Sequence, residues 1–282
     1  MRFKIVHETE YEFSSEVFLE PHKFRFKPRM APYIKLESFA LDISSSPAGL
    51  SEQLDPEDNF IHFCWFEGMH KKIIIRAESV IKTQPYNPFN FLIFPPTVNQ
   101  IPFVYSTDLS PSLGPYMDTV RLDPELMAYA KELLQFKSAN TLNFVIQLTS
   151  QIHNDFTLEF REEGAPYDPN ETFELKRGSC RDLVWMQIQL LRNLGIAVRF
   201  VSGYYYVDVE EPRYELHAWS EVFLPGAGWV GFDPSNGIVT EHTHIAVASS
   251  SLYQNTMPVS GTIRGDATSE LQTSLSIHVL DP

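Results

Sequence analysis

The hydrophobic period changes once along the chain, and that change divides it. Up to residue 83 the pattern is that of strands: Phe3, Ile5 and His7 interleave with Lys4, Val6 and Glu8. Runs of the same kind cover residues 17–27, 34–43, 60–66 and 73–81. A period of two sends successive side chains to opposite faces of a sheet. Turn-forming clusters separate the runs, at Ser44-Ser45-Ser46-Pro47-Ala48-Gly49 and at Asp55-Pro56-Glu57-Asp58-Asn59. Short strands at this spacing predict a small antiparallel β-sandwich.

A stretch holding Pro85, Pro88, Pro95, Pro96, Pro102, Pro111 and Pro115 follows. Its aromatic residues Tyr86, Phe89, Phe91 and Phe94 mark a packed irregular connector rather than a free linker. Helical periodicity then begins. Asp123-Pro124-Glu125 reads as a helix start, with Leu126, Tyr129, Ala130 and Leu133 on one face. A second helix is predicted over residues 141–154 and a third from Cys180. Strands are expected at 199–207, 215–224, 228–233 and 274–280. The reading is an α+β protein with a boundary near residue 112: residues 1–112 form a β-sandwich domain with its connector, and residues 113–282 form a second domain.

Charge and composition narrow the function classes. A formal net charge of −14 argues against a nucleic-acid partner, which demands a Lys/Arg surface. No apolar run approaches a membrane span, so no membrane role is expected. Residues 1–13 alternate like a strand instead of forming the apolar block of a secretion signal. Cys64 and Cys180 are the two cysteines, a usage that suits a reducing, cytoplasmic compartment.

The candidate chemistry lies around Cys180. In Gly178-Ser179-Cys180-Arg181-Asp182, Ser179 fits a helix cap and Asp182 stands three residues later, as in a capping box. Leu183, Met186, Leu190, Leu191 and Leu194 give the helix an apolar face, and Gly195 ends it. Cys180 therefore falls in the first turn, where free amides and the positive end of the helix dipole favour a thiolate and an oxyanion. Gly178 allows a sharp entry and a close approach by substrate. Cys64, between Phe63 and Trp65, reads as core.

His217 opens one predicted strand and Asp233 closes the next, joined through Pro225-Gly226-Ala227-Gly228. Their meeting depends on register. Pairing Leu224 with Gly228 sets Trp219 opposite Asp233 and His217 on the neighbouring diagonal; a slip of one residue separates them. A thiol nucleophile served by His217 and Asp233 thus requires an odd-length turn or a bulge. Taken singly, His217 reads equally well as a core histidine and Asp233 as a turn former before Pro234. His242 and His244 flank Thr243 but lack further ligand types at fixed spacing, so no metal is expected. Alternate rings of Tyr204-Tyr205-Tyr206 could line a substrate groove or simply pack. His153 and Asn154 read as helix-end capping groups.

Four segments together resemble the transglutaminase-like superfamily, in its bacterial branch of candidate cysteine proteases. They are Gly178–Asp182, Leu194-Gly195-Ile196-Ala197-Val198-Arg199-Phe200-Val201-Ser202-Gly203-Tyr204, His217-Ala218-Trp219-Ser220-Glu221-Val222, and Gly228-Trp229-Val230-Gly231-Phe232-Asp233-Pro234-Ser235-Asn236-Gly237. The strand-rich N-terminal region and the tail Pro258-Val259-Ser260-Gly261-Thr262-Ile263-Arg264-Gly265 fit the same branch. The resemblance implies a papain-like core with the nucleophile at a helix N-terminus. It implies Cys180 as nucleophile, His217 as base and acid, and Asp233 as orienter, acting on peptide or carboxamide carbonyls through an acyl-thioester. Gly178, Trp219 and Tyr204 are the candidate substrate contacts; no cofactor is expected, and the partner is a protein or peptide substrate. Hydrolysis is the first expectation. Transfer from glutamine to an amine, deglycosylation of Asn-linked glycans and a non-catalytic peptide-binding module are the alternatives. The second oxyanion donor cannot be assigned from the sequence.

Overall fold

Two facing antiparallel sheets form from the alternating segment. The computed structural model describes residues 1–135, 140–161, 164–210 and 212–281. In β1 (Arg2–Leu19), Phe3, Ile5, His7 and Thr9 are buried while Lys4, Val6 and Glu8 turn outward. The second sheet is built on β2 (His22–Phe24), and β3 (Ile34–Ser44) returns to the first. Next come β4 (Gly49–Leu54), β5 (Phe60–Trp65) and β6 (His70–Thr83). One sheet runs β1-β6-β3; the other places β2, β5 and β4 side by side, with Val259–Ser260 at its edge. Phe13, Leu19, Phe24, Phe26, Cys64, Phe66, Ile73 and Ile75 fill the space between them. Each such large apolar side chain contributes about 1.5–3 kcal/mol on burial. Cys64 belongs to this core, and burial pushes its thiol up to about 11. The strand β4 has no counterpart in the sequence reading because its residues are almost all exposed, leaving no buried face to set a period.

The second half wraps helices around a sheet. The longer helices are α1 (Pro124–Leu134), α2 (Thr141–Asp155), α3 (Pro169–Leu175) and α4 (Cys180–Asn193). Strands β7 (Val198–Tyr205), β8 (His217–Leu224), β9 (Gly228–Asp233) and β10 (His244–Ser250) form an antiparallel sheet in the order β9-β8-β7-β10, with Ile238–Val239 outside β9. Helix α4 is buried around nearly its whole circumference, from Leu183 to Arg192. Its one polar core residue facing both layers, Gln187, donates to Thr149 Oγ1 of α2 and Ser220 Oγ of β8, each at 3.1 Å. Gly195, at φ 82°, stops the helix: Gly195 N–H bonds to Arg192 O and Ile196 N–H to Leu191 O, the double bond of a Schellman end. That stop delivers the chain directly into β7.

The two halves share a tight seam. Phe3, Ile5, Ile34 and Ile81 of the sandwich form one apolar cluster with Tyr204, Ile245 and Val247 of the core. Asn59, fully buried, bonds the backbone of β10 in both directions: Nδ2 donates to Ser249 O at 2.9 Å, and Oδ1 accepts from Ser249 N at 2.8 Å.

Two features cross the expected division at residue 112. The strand expected over residues 274–280 spans Ser269–Asp281 and pairs along β1 from Arg2 to Phe13, so it belongs to the N-terminal sheet. The proline-rich connector instead packs on the core, through Phe91, Ile93, Ile101 and Phe103. Alternation in a sequence gives a strand its faces but not its neighbour, because backbone pairing carries no side-chain signature.

Candidate active site

Ser179, with extended φ −75° and ψ 170°, caps α4 and leaves Cys180 as its first residue. The first helical bonds, from the amides of Asp182 and Leu183, go to Ser179 O. The amides of Cys180 and Arg181 precede these first helical bonds, in the opening turn of α4. Asp182 is wholly buried. Its Oδ2 accepts from Ser179 N at 2.7 Å and from Ser179 Oγ at 2.6 Å. Its Oδ1 accepts from Arg161 Nη2 at 2.5 Å and from Tyr167 N at 2.8 Å. Asp182 is thus a cap and also the clamp that fastens the preceding loop beside the nucleophile.

Gly178 owes its identity to that clamp. A Cβ added there would lie 2.8 Å from Asp182 Cβ, so the space a side chain would need is already taken by the capping carboxylate. Arg177–Gly178 pairs in parallel with Thr157–Leu158, and Gly178 itself is buried. The close approach at this glycine is to Asp182 of its own chain.

The hairpin between β8 and β9 has the register that the site requires. Pro225 and Gly226 occupy the centre of a turn closed by Ala227 N–H to Leu224 O at 2.9 Å, with Gly226 at φ 89°. Proline first and a left-handed glycine second is the chemistry of a type II turn. The loop holds three residues, Leu224 pairs with Gly228, and Ser220 pairs with Phe232. His217 Nε2 consequently lies 2.7 Å from Asp233 Oδ2.

Asp233 is fully buried and saturated with donors. Oδ1 accepts from Ser235 N at 2.9 Å and Asn236 N at 3.3 Å, while Asn236 Nδ2 reaches Oδ2 at 2.7 Å. Burial alone would raise this carboxyl; the charges and hydrogen bonds of His217 and His244 outweigh it and hold Asp233 far below the usual carboxylate range. Burial likewise works to lower His217. Asp233, together with a hydrogen bond and charge interaction from Cys180, overcomes it and raises His217 to about 10. Cys180, His217 and Asp233 are therefore contiguous, with Nε2 of the ring committed to Asp233 and the remaining nitrogen available to the thiol.

The other expected contacts fall elsewhere. Tyr204 is 1% exposed and turned to the seam, where its hydroxyl lies 3.2 Å from His7 Nδ1; it lines no groove. The alternate ring Tyr205 is the one beside the site, 5.6 Å from His217. Trp219 is 2% exposed and packs as a wall near His217, 6.3 Å between ring centroids, so it is not open to substrate. His242 precedes β10 in a turn, whereas His244 opens the strand and joins Asp233. His153 does not cap α2, which corrects its reading as a helix-end group: its Nδ1 meets Ser235 O at 2.8 Å and braces the loop after Asp233.

Asn236, Arg161 and His244 were not singled out as site residues from the sequence. Asn236 had a readable signal, since Asp-Pro-Ser-Asn favours a turn in which the aspartate accepts the following amides. Arg161 had none, as it lies near no motif, and His244 stood out only as half of the His242/His244 pair weighed for a metal. His217, Asp233 and His244 also bring three potential metal-ligating atoms within 4.8 Å of one another.

Family models match both halves of the chain. Residues 3–82 match the bacterial transglutaminase-like N-terminal region, and residues 127–234 match the transglutaminase-like superfamily core, which spans Cys180, His217 and Asp233. The chain belongs to the transglutaminase-like superfamily. A crystal structure of a candidate cysteine protease from Cytophaga hutchinsonii shares this transglutaminase-like fold, with a TM-score of 0.73 over 100% of this chain and 91% of that one at 19% identity. An uncharacterised protein of Mycobacterium tuberculosis is 25% identical over 275 residues, 93% of this chain and 87% of its own length. A protein-glutamine gamma-glutamyltransferase of Pseudomonas aeruginosa is 26% identical over 152 residues, 49% of this chain and 23% of that protein. Among the described residues, no helix of this transglutaminase-like chain is long and apolar enough to cross a membrane.

Proposed function

We propose that this protein is a thiol enzyme that cleaves peptide or carboxamide bonds, with Cys180 as nucleophile, His217 as proton carrier and Asp233 as orienter. The observation that carries the reading is the 2.7 Å contact of His217 with a buried, donor-saturated Asp233, on the strand register that also brings Cys180 to the ring. In this mechanism Cys180 gives its proton to His217, and the sulfur adds to the substrate carbonyl. The negative oxygen that forms meets the Cys180 amide at the start of α4. His217 then protonates the departing amine as the carbon–nitrogen bond breaks, leaving an acyl-thioester. Water attacks the thioester while His217 takes its proton, and the carbon–sulfur bond breaks to release a carboxylic acid.

An amine could replace water in the last step, giving transamidation, and the similarity to the Pseudomonas glutamyltransferase favours keeping that outcome in the test. Both cysteines are free, which suits work in a reducing, cytoplasmic compartment.

The test is alkylation of Cys180 by iodoacetamide across pH, in the wild type and in His217→Ala. Rapid labelling below pH 7 that collapses in the variant supports the assignment. Labelling that follows an ordinary thiol in both proteins refutes it. Peptide and glutamine-amide panels, with and without added amine, then separate hydrolysis from transfer by the product formed.

A further inference from the structure

His244 enters the site although no motif marks it. The residue is 1% exposed, and its Nε2 lies 3.3 Å from Asp233 Oδ2, the oxygen that His217 also contacts. Its other nitrogen fixes the tautomer. The Glu241 backbone N–H points at His244 Nδ1 over 3.3 Å. An amide nitrogen can only donate, so Nδ1 carries no proton and Nε2 carries one. The ring is also held in plane, stacked on Tyr205 at 4.1 Å and set edge-on to Trp219 at 5.3 Å.

We propose that His244 is a positioning residue for Asp233: a neutral imidazole, locked in one tautomer, that donates to Oδ2 and shares the carboxylate with His217. The inference rests on the thiol-enzyme reading above. Burial favours the neutral ring, with His217 acting the same way, and outweighs the opposing pull of Asp233 and Glu241. The groups facing His217 are Asp233, Cys180, His244 and Tyr205; those facing His244 are Asp233, His217, Glu241 and Tyr205. Asp233 is the anion that touches both rings.

The same tautomer argues against a metal held by these three residues. Ligation through Nε2 would move the proton to Nδ1, where it would confront the Glu241 N–H. The geometry suits a hydrogen-bonded carboxylate instead.

Two substitutions separate holding from packing. His244→Asn keeps an acceptor for Glu241 N–H but is too short to reach Asp233; His244→Gln places an N–H near the lost Nε2. The readout is the NMR titration of the His217 ring, alongside the pH profile of Cys180 alkylation. Without the donor, the Asp233 charge acts on His217 undivided. His244→Asn is expected to lower the His217 acid dissociation constant roughly three- to tenfold, an upward shift of about half to one pKa unit. The alkaline limb of the alkylation profile should move with it, and His244→Gln should restore both. His244→Leu serves as the donor-free variant if the asparagine protein does not fold. A folded donor-free variant in which His217 titrates as in the wild type overturns the proposal, as does a glutamine variant that shifts equally far. A wild-type Cys180 that alkylates as an ordinary thiol refutes the enzyme reading separately, because the His217 titration still reports the hold on Asp233.

Discussion

Replacing Asp182 by alanine should loosen the nucleophile's support without unfolding the protein. The carboxylate accepts four hydrogen bonds, from Ser179 N, Ser179 Oγ, Arg161 Nη2 and Tyr167 N. Alanine leaves the two amides without their acceptor, and an unsatisfied buried amide costs about 1–3 kcal/mol. Arg161 is partly exposed, at 22% of its side chain, so water can take over much of its charge and that pair adds little. The Ser179 hydroxyl can rotate to another partner. The expected loss is therefore about 3–4 kcal/mol, set mainly by the two amides. A domain with about 5–15 kcal/mol of stability survives it. Urea denaturation followed by tryptophan fluorescence measures the loss, and amide hydrogen exchange locates it. Exchange should accelerate at Ser179 and Tyr167 and over residues 164–168, while β1 and β6 keep their protection. A loss below about 1 kcal/mol, with unchanged exchange at those two amides, would show that the clamp carries no energy.

Two further outcomes test the seam and its response to acid. His7 is buried between β1 and β7, and desolvation lowers it from 6.5 to about 4. The unfolded chain therefore binds the extra proton between those values, so stability is complete above about pH 6.5 and falls as the pH drops toward 4. The loss is roughly 3 kcal/mol, and comparing denaturation of the wild type with His7→Gln from pH 7 to pH 4 isolates it. Asn59→Ala removes both bonds to the Ser249 backbone and should cost about 2–4 kcal/mol, with increased exchange along β10; equal denaturation midpoints for the two proteins would rule out this strut.

The sequence by itself determined those features whose causes lie within a few residues. Ser179, Asp182 and Gly195 fix where α4 starts and stops, because capping and a left-handed stop are local chemistry. Pro225-Gly226-Ala227-Gly228 marks a hairpin, but the pairing of Leu224 with Gly228 that joins His217 to Asp233 is one of two registers the sequence allows, and the folded hairpin chooses it. Alternation in β1 specifies which side chains turn inward. Tertiary structure decided whatever depends on a partner distant in the chain. It sent Tyr204 to the seam and Tyr205 to the site, since a period of two yields two faces without saying which element covers each. It paired the C-terminal strand with β1, because backbone hydrogen bonds are the same for any sequence. It brought Arg161 to Asp182, and placed His244 beside Asp233 through the pairing of β10 with β7. The local chain supplied a nucleophile at a helix start; long-range packing supplied the groups that hold its partners in place.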